Sequence, residues 1–405
     1  MSFSEIEKIE LNEAIISSNT GADAIKRAPI VEEDTGVKCL RIGDVSNDRP
    51  FDEWGFAKVE SSVWNKFRLM KDDILIARTG NTIGVVKYIT KDLQSVYNNG
   101  LIRLKVDKDS FDPKYIFYNL ANRNFLDFVY SISGGTSTQP NMKMKHTLKY
   151  QISNYTLDEQ KAIANILSTL DEKIEVNNQI NKTLENMAQA IFKQWFVDFE
   201  FPNEDGEPYK SSGGEMVESE LGMIPKGWEV GVLGDIISIS SGKRPKKKSK
   251  EPYEEFVIPL IGASSTMGYV KEYNYFEPII IIGRVGTHGV VQRFKDKVWA
   301  SDNTLVIKSE YYEYVHQLLG LIDYASLNRG STQPLITQTD IKNVRILIPY
   351  KSILNQYEEL VGKLYELVNS RLDENSNLIN LRDTLLPKLM SGEIRVPLDE
   401  EGETS

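Results

Sequence analysis

Ser137-Thr138-Gln139-Pro140 is written a second time as Ser331-Thr332-Gln333-Pro334, roughly 194 positions further along a chain of 405 residues. The match spreads outward from these words. From Gln139 to Ile152 and from Gln333 to Ile346 the spacing is the same, each run climbing from a polar loop into an apolar stretch. Upstream, Ile74-Leu75-Ile76-Ala77-Arg78-Thr79-Gly80 answers Ile280-Ile281-Ile282-Gly283-Arg284-Val285-Gly286. Gly84-Val85-Val86 then answers Gly289-Val290-Val291 with one residue missing. Downstream, each copy enters a long, charged, Leu/Ile-periodic segment, residues 157–199 and 352–392. A period of about 200 residues is far above the roughly 20–50 of stacked solenoids, so the repeated object is a whole domain with a long helix behind it.

Within each copy, short β-branched runs alternate with Gly, Asn and Asp turns. Strands are expected at 74–76, 85–86 and 101–106 in the first copy and at 257–261, 279–282 and 305–307 in the second, with helices at 113–130 and 312–326. The fold class is α+β: two similar globular domains separated by a long antiparallel two-helix coiled coil, with an internal pseudo-twofold repeat. The expected boundaries are a first domain at 1–152, a first long helix at 153–200 and a surface linker at 201–227. A second domain follows at 228–350, then a second long helix at 351–397 and an acidic tail at 398–405.

The first helical segment carries Ile163, Leu167, Leu170 and Ile174 at coiled-coil spacing, and the same register then lands on Asn177 and Asn181 before Leu184, Ala188, Ile191 and Trp195. The second carries Leu354, Val361, Leu364 and Val368, a softer centre at Arg371 and Asn375, then Leu378, Leu385 and Leu389. Antiparallel pairing sets the polar centres opposite one another, so that Asn177 or Asn181 meets Asn375; alternatively a phase shift brings Ile180 into the seam. A helix of about 38 residues is about 57 Å long, which makes the pair a rod holding two domains apart. Pro387 is expected to end or kink the second helix near Leu386.

A single cysteine, Cys39, excludes a disulfide framework and reads as core in a reducing cytoplasm. No signal-peptide pattern is present and the longest apolar run, Pro278 to Ile282, is too short to span a bilayer, so a soluble cytoplasmic protein is expected. The net charge of −10 argues against a surface that grips nucleic acid everywhere. Charge is unevenly spread, however: acids gather at 200–220 and in the tail, while Lys243-Arg244-Pro245-Lys246-Lys247-Lys248-Ser249-Lys250 is a dense basic loop.

Catalytic patterns are missing. Gly242-Lys243 and Gly362-Lys363 lack the rest of a phosphate loop, His146, His288 and His316 are isolated, and Gly283-Arg284-Val285-Gly286 has the wrong spacing for a dinucleotide turn. Neither a metal nor a cofactor is expected on this chain. Two similar domains bearing loops of Arg, Lys, Ser, Thr, Asn, Gln and Gly on a rod suit a linear target read at two places. Gln and Asn pair with adenine and Arg with guanine, while hydroxyls and ammonium groups take phosphates. The candidate DNA contacts are Arg78, Thr79 and Asn81 with Arg284, Thr287 and His288 after the matched strands, Thr138 and Gln139 with Thr332 and Gln333 in the doubled loops, and Lys243, Arg244, Lys246, Lys247 and Lys248. The turns after the matched strands and the Ser-Thr-Gln-Pro loops read equally as tight structural turns, whereas the basic run favours phosphate binding over a merely solvated loop. A protein-interaction scaffold with paired binding domains is the competing class.

The chain resembles the specificity subunit of type I restriction-modification enzymes. The resemblance rests on the doubled domain and on three segments: Ala188-Gln189-Ala190-Ile191-Phe192-Lys193-Gln194-Trp195-Phe196-Val197-Asp198-Phe199-Glu200, Leu221-Gly222-Met223-Ile224-Pro225-Lys226-Gly227-Trp228, and Leu381-Arg382-Asp383-Thr384-Leu385-Leu386-Pro387-Lys388-Leu389. It implies two target-recognition domains, each reading half of an asymmetric interrupted site in double-stranded DNA, with no catalysis of their own. The partners it implies are two modification (methyltransferase) subunits and restriction subunits, which carry the S-adenosylmethionine, ATP and magnesium chemistry. Phe192, Trp195 and Phe196 then serve either as a surface for the modification subunit or as the apolar closure of the helix pair. The segments that fail to align, around Ala22 to Glu33 and Lys243 to Glu255, are where the two domains are expected to read different DNA.

Overall fold

A computed structural model describes residues 6–23, 26–133, 142–285, 289–327 and 335–397. The chain divides into two compact units, Met1–Asn177 with Asp373–Ser405, and Asn178–Leu372. Both boundaries fall inside the long helices, so each helix starts in one unit and finishes in the other.

The first unit is built on an antiparallel sheet in the spatial order Ile15–Thr20, Leu101–Val106, Ile74–Ala77, Val86–Tyr88. The strand Ile74–Ala77 is apolar throughout because both of its faces are covered. Ile74 and Ile76 join Ile102 and Leu104 in one core, whereas Leu75 and Ala77 join Leu101 in another. The second unit repeats the order with Ser238–Ser241, Thr304–Lys308, Ile279–Gly283 and Val291–Phe294. It also repeats the division, Ile280, Ile282, Leu305 and Ile307 facing one core and Ile279, Ile281 and Val306 the other.

Beside each sheet lies a smaller one containing a parallel pair, Lys38–Leu40 with Ser95–Tyr97 in the first unit and Ile258–Ile261 with Trp299–Ala300 in the second. A third pairing closes each unit, Ile9 opposite Ile152 and Gly231 opposite Ile346. Cys39 is buried in the smaller core of the first unit, and burial pushes its thiol up to about 11, which leaves it protonated and inert.

The helix expected over 113–130 is two helices, Pro113–Leu120 and Arg123–Ile132. Asp112 caps the first by accepting the Tyr115 N–H at 2.9 Å, and Asn122 interrupts the run to cap the second through the Phe125 N–H at 3.1 Å. The stretch 201–227, expected as a surface linker, is folded onto the second unit. Met216–Ser219 and Gly222–Pro225 form a hairpin, Ile224 is buried, and Phe201 stacks between Tyr209 and Trp228 at 4.6 and 5.1 Å.

The long helices are Leu157–Phe192, extended by a π turn over Lys193–Val197, and Lys351–Ser391. Pro387 does not end the second one, contrary to expectation. Its last turns are held by the first unit, where Leu386, Leu389 and Met390 enter the core and the helix's final carbonyls are satisfied. Tyr155 donates its hydroxyl to Leu389 O and Ser153 donates to Met390 O, both at 2.7 Å. Within that unit the helices run antiparallel, as Asp171 with Arg382 at 2.7 Å and Lys173 with Glu374 at 3.4 Å establish. The polar centre sits where the register put it: Asn177 is fully buried and donates to Asn375 Oδ1 at 2.8 Å and Glu374 Oε2 at 3.0 Å. Ile180 is exposed, so the phase shift does not occur. Among the described residues no helix is long and apolar enough to cross a membrane.

Candidate nucleic-acid interface

At one end of the main sheet in the first unit, the turn Asn98–Gly100 gathers the loops that the sequence singled out. The Gly21 N–H donates to Leu101 O at 3.2 Å, Ala22 N–H to Tyr97 O at 2.9 Å, and Asn99 N–H returns to Ala22 O at 2.9 Å. Arg78 N–H donates to Gly100 O at 3.0 Å, and Met142 N–H, where the chain leaves the Ser-Thr-Gln-Pro segment, donates to Arg78 O at 2.8 Å.

The second unit has the same node built from Ser301–Asn303. Gly242 N–H donates to Thr304 O at 3.1 Å, Lys243 N–H to Ala300 O at 2.9 Å, Arg284 N–H to Asn303 O at 2.9 Å, and Ile336 N–H to Arg284 O at 3.0 Å. Gly21 and Gly242 are therefore equivalent, and both are glycine for a steric reason. A Cβ on Gly21 would lie 2.2 Å from Asn98 O, and one on Gly242 would lie 2.1 Å from Ser301 O.

These glycines are the roots of the two unmatched segments. Beyond Gly21 the chain turns back on itself, Asp23 accepting the Lys26 N–H at 2.9 Å, and it carries Lys26 and Arg27 followed by Glu32, Glu33 and Asp34. Beyond Gly242 it becomes the basic loop. Lys243, Arg244, Lys246, Lys247, Lys248 and Lys250 are all exposed. Arg244 approaches Asp302 at 3.6 Å, and among the described residues none of the five lysines has an ion-pair partner.

The loop is nonetheless fixed in place. Trp299 Nε1 donates to Lys243 O at 2.6 Å, and Ser249 and Tyr269 exchange backbone hydrogen bonds of 2.8 and 2.9 Å. Five unneutralised ammonium groups on a pinned loop are the arrangement that phosphate binding needs, since little ordering entropy remains to be lost.

The turn after the matched strand brings Arg78, Thr79 and Asn81 to the same end, with Asn81 exposed and Gly84 and its counterpart Gly289 both at positive φ (88° and 83°). Arg284 has no carboxylate partner among the described residues, and its buried Nε has no hydrogen-bond partner there. Thr138, Gln139, Thr287, His288, Thr332 and Gln333 lie outside the described residues. The nodes themselves, Asn98-Asn99-Gly100 and Ser301-Asp302-Asn303, were missed in the sequence. Both precede matched strands in the duplicated text, and that placement was the available signal.

Phe192, Trp195 and Phe196 take the second of the two roles open to them. They are buried with Tyr314, Tyr357 and Trp228 in the core of the second unit, so they offer no surface to a partner.

A carboxylate on the second long helix anchors this unit. Glu358 accepts the N–H groups of Glu313 and Tyr314 at 2.9 and 2.8 Å, at the start of the helix Tyr312–Leu321. Burial pushes it up to about 7, against the pull of those N–H groups and of Arg293. In the first unit a neutral side chain does similar work, Gln160 Oε1 accepting the Asp112 N–H at 2.9 Å.

Residues 6–186 and 225–361 match the family model of the type I restriction-modification DNA specificity domain. The chain belongs to that family. It is 30% identical to the MjaIX specificity subunit of Methanocaldococcus jannaschii, over 77% of this chain and 76% of that one. It is 25% identical to the HindI specificity subunit of Haemophilus influenzae, over 81% and 88%. The crystal structure of a type I restriction-modification S subunit from M. genitalium has the same fold, with a TM-score of 0.60 at 18% identity over 96% of this chain and 97% of that one.

Proposed function

We propose that the chain is the DNA-reading subunit of a type I restriction-modification complex, each unit reading one half of an interrupted site in double-stranded DNA. The observation that carries this is the repeated node: the same four hydrogen-bonded loop roots in both units, with unlike loops growing from them. A shared frame with different loops is what two reading heads for two different half-sites require. Arg78, Thr79, Asn81, Thr138 and Gln139 in the first unit and Arg284, Thr287, His288, Thr332 and Gln333 in the second supply the base and backbone contacts; Lys243, Arg244, Lys246, Lys247 and Lys248 take phosphates.

The two long helices, 36 and 41 residues, set the gap between half-sites and dock two modification subunits, with restriction subunits joining them. The chain itself performs no chemistry; S-adenosylmethionine, ATP and magnesium belong to the partners, and the complex works in the cytoplasm. Net acidity makes the isolated chain a weak, salt-labile DNA binder that tightens when the modification subunits close around the duplex.

The test is mapping of methylated bases in DNA from cells carrying this chain with its modification subunit. A two-part motif with a fixed gap is expected, and deleting one heptad from each helix together shortens the gap while leaving both halves intact. A continuous motif, or altered halves with an unchanged gap, contradicts the proposal.

A further inference from the structure

Beneath the basic loop of the second unit lies a half-open cavity of about 230 Å³, lined by Phe256 and Trp299 and by Lys246, Lys247, Lys271 and Glu272. We infer that this cavity receives the base of an unpaired nucleotide, a ligand that duplex reading does not call for.

Size is the first argument. Pockets for drug-sized ligands hold roughly 300–1,000 Å³, so this one suits a single heterocyclic ring system. The walls are the second. The indole N–H of Trp299 is already committed to Lys243 O at 2.6 Å, which fixes the ring and leaves its apolar carbons, not its donor, for the cavity. Phe256 supplies another aromatic face, with the Lys271 ammonium 5.1 Å from its centroid. Any base stacks on such faces, but only once it has left its duplex neighbours.

Charge decides the rest. Lys271 is engaged by Glu255, whereas Lys246 and Lys247 are exposed and have no ion-pair partner among the described residues, so they remain for the phosphate of the bound nucleotide. Glu272 is an acceptor only. It pairs with the exocyclic amine of cytosine or adenine, which thymine lacks.

The surface continues past the cavity. Tyr273 and Phe276 are exposed, packed edge to face at 6.0 Å, and the Lys297 ammonium lies 5.1 and 5.3 Å from their rings, a platform for a flanking base. In the corresponding sheet of the first unit the Lys38 ammonium lies 5.6 and 4.5 Å from the rings of Phe51 and Phe56, but those rings are only half-exposed and Trp54 is buried.

The experiment is a fluorescence titration of the full chain with oligo-dC, oligo-dA and oligo-dT of equal length, with dCMP, and with inorganic polyphosphate. Saturable quenching is expected with dC and dA and weaker quenching with dT, and the signal is absent in Trp299→Phe. Phe256→Ala weakens the strand roughly ten- to hundred-fold, the usual range for one stacked base. Glu272→Ala removes the preference for dC and dA while leaving dT binding unchanged; this variant keeps the test decisive if Trp299→Phe loosens the loop.

Quenching by oligo-dC but not by dCMP means that a strand is the source of the base; equal quenching means that the nucleotide alone suffices, and either outcome supports the cavity. Equal quenching by polyphosphate, binding unchanged in Phe256→Ala, or no quenching at all overturns it. Methylation mapping with the same variants reads the duplex function separately, so failure of one conclusion is distinguishable from failure of the other.

Discussion

The two units share a backbone and differ in what they hang on it. Sheet order, the parallel strand pair, the third pairing and the loop node recur, and each is set by buried apolar alternation or by backbone hydrogen bonds that tolerate little change. The loops rooted at Gly21 and Gly242 are held through backbone atoms, so their exposed side chains are under no such constraint. One becomes a mixed-charge segment and the other a strongly basic one with an aromatic cavity beneath it. The two units diverge where the frame does not depend on the side chains.

The harshest way to break the comparison is to spoil the shared frame. Gly21→Ala and Gly242→Ala each drive a methyl group onto a carbonyl oxygen, at 2.2 and 2.1 Å, and should cost about 2–4 kcal/mol in urea melts, by similar amounts. One variant behaving like wild type would mean that the nodes are not equivalent.

A milder test removes the difference. Lys246→Ala, Lys247→Ala and Lys248→Ala together should flatten the salt dependence of DNA binding by the assembled complex by up to about 0.9 per lysine in the log–log slope, without changing the motif. The same treatment of Lys26 and Arg27 should flatten it less. Equal slopes would place phosphate binding evenly on both units.

Sequence legibility followed the same divide. The repeat, the strands expected at 74–76 and 279–282 and the seam through Asn177 were readable because duplication and periodicity are local in the text. What was not readable depended on distant partners. Pro387 sits within a helix because Ser153 and Tyr155 hold its end, far away in sequence. The stretch 201–227 folded because Phe201, Tyr209 and Trp228 stack, and the aromatic run at 192–196 became core because Tyr314 and Tyr357 arrive from elsewhere in the chain. Of the site, the loop roots follow from the matched text, whereas the lack of ion-pair partners for the five lysines among the described residues and the cavity under them required three dimensions.

A pH-dependent difference separates the units as well. Glu358 rises from 4.5 to about 7 on folding, so between those values its carboxyl holds an extra proton in the folded second unit and the stability it contributes falls as pH rises. Gln160 gives the first unit no such dependence. Glu358's own contribution between pH 5 and pH 8, read as the difference in pH slope between the wild type and Glu358→Gln, should be on the order of 1–2 kcal/mol after discounting for partial exposure; buried His316, pulled down from 6.5 to about 3, acts in the opposite direction. An unchanged pH slope in that variant would remove Glu358 as its source.

The smallest effect comes from two asparagines one turn apart on the same helix. Asn177, in the first unit, donates to Asn375 and Glu374, so Asn177→Leu strands a buried acceptor and should cost about 1–2 kcal/mol. Asn181, in the second unit, is 7% exposed and neither amide atom has a partner among the described residues. Its burial is a cost without a return, and Asn181→Leu should leave thermal stability equal or raise it by up to about 1 kcal/mol. The pair thus distinguishes an asparagine that fixes register from one that only occupies the seam. A matching loss of stability in Asn181→Leu would assign both residues the same role.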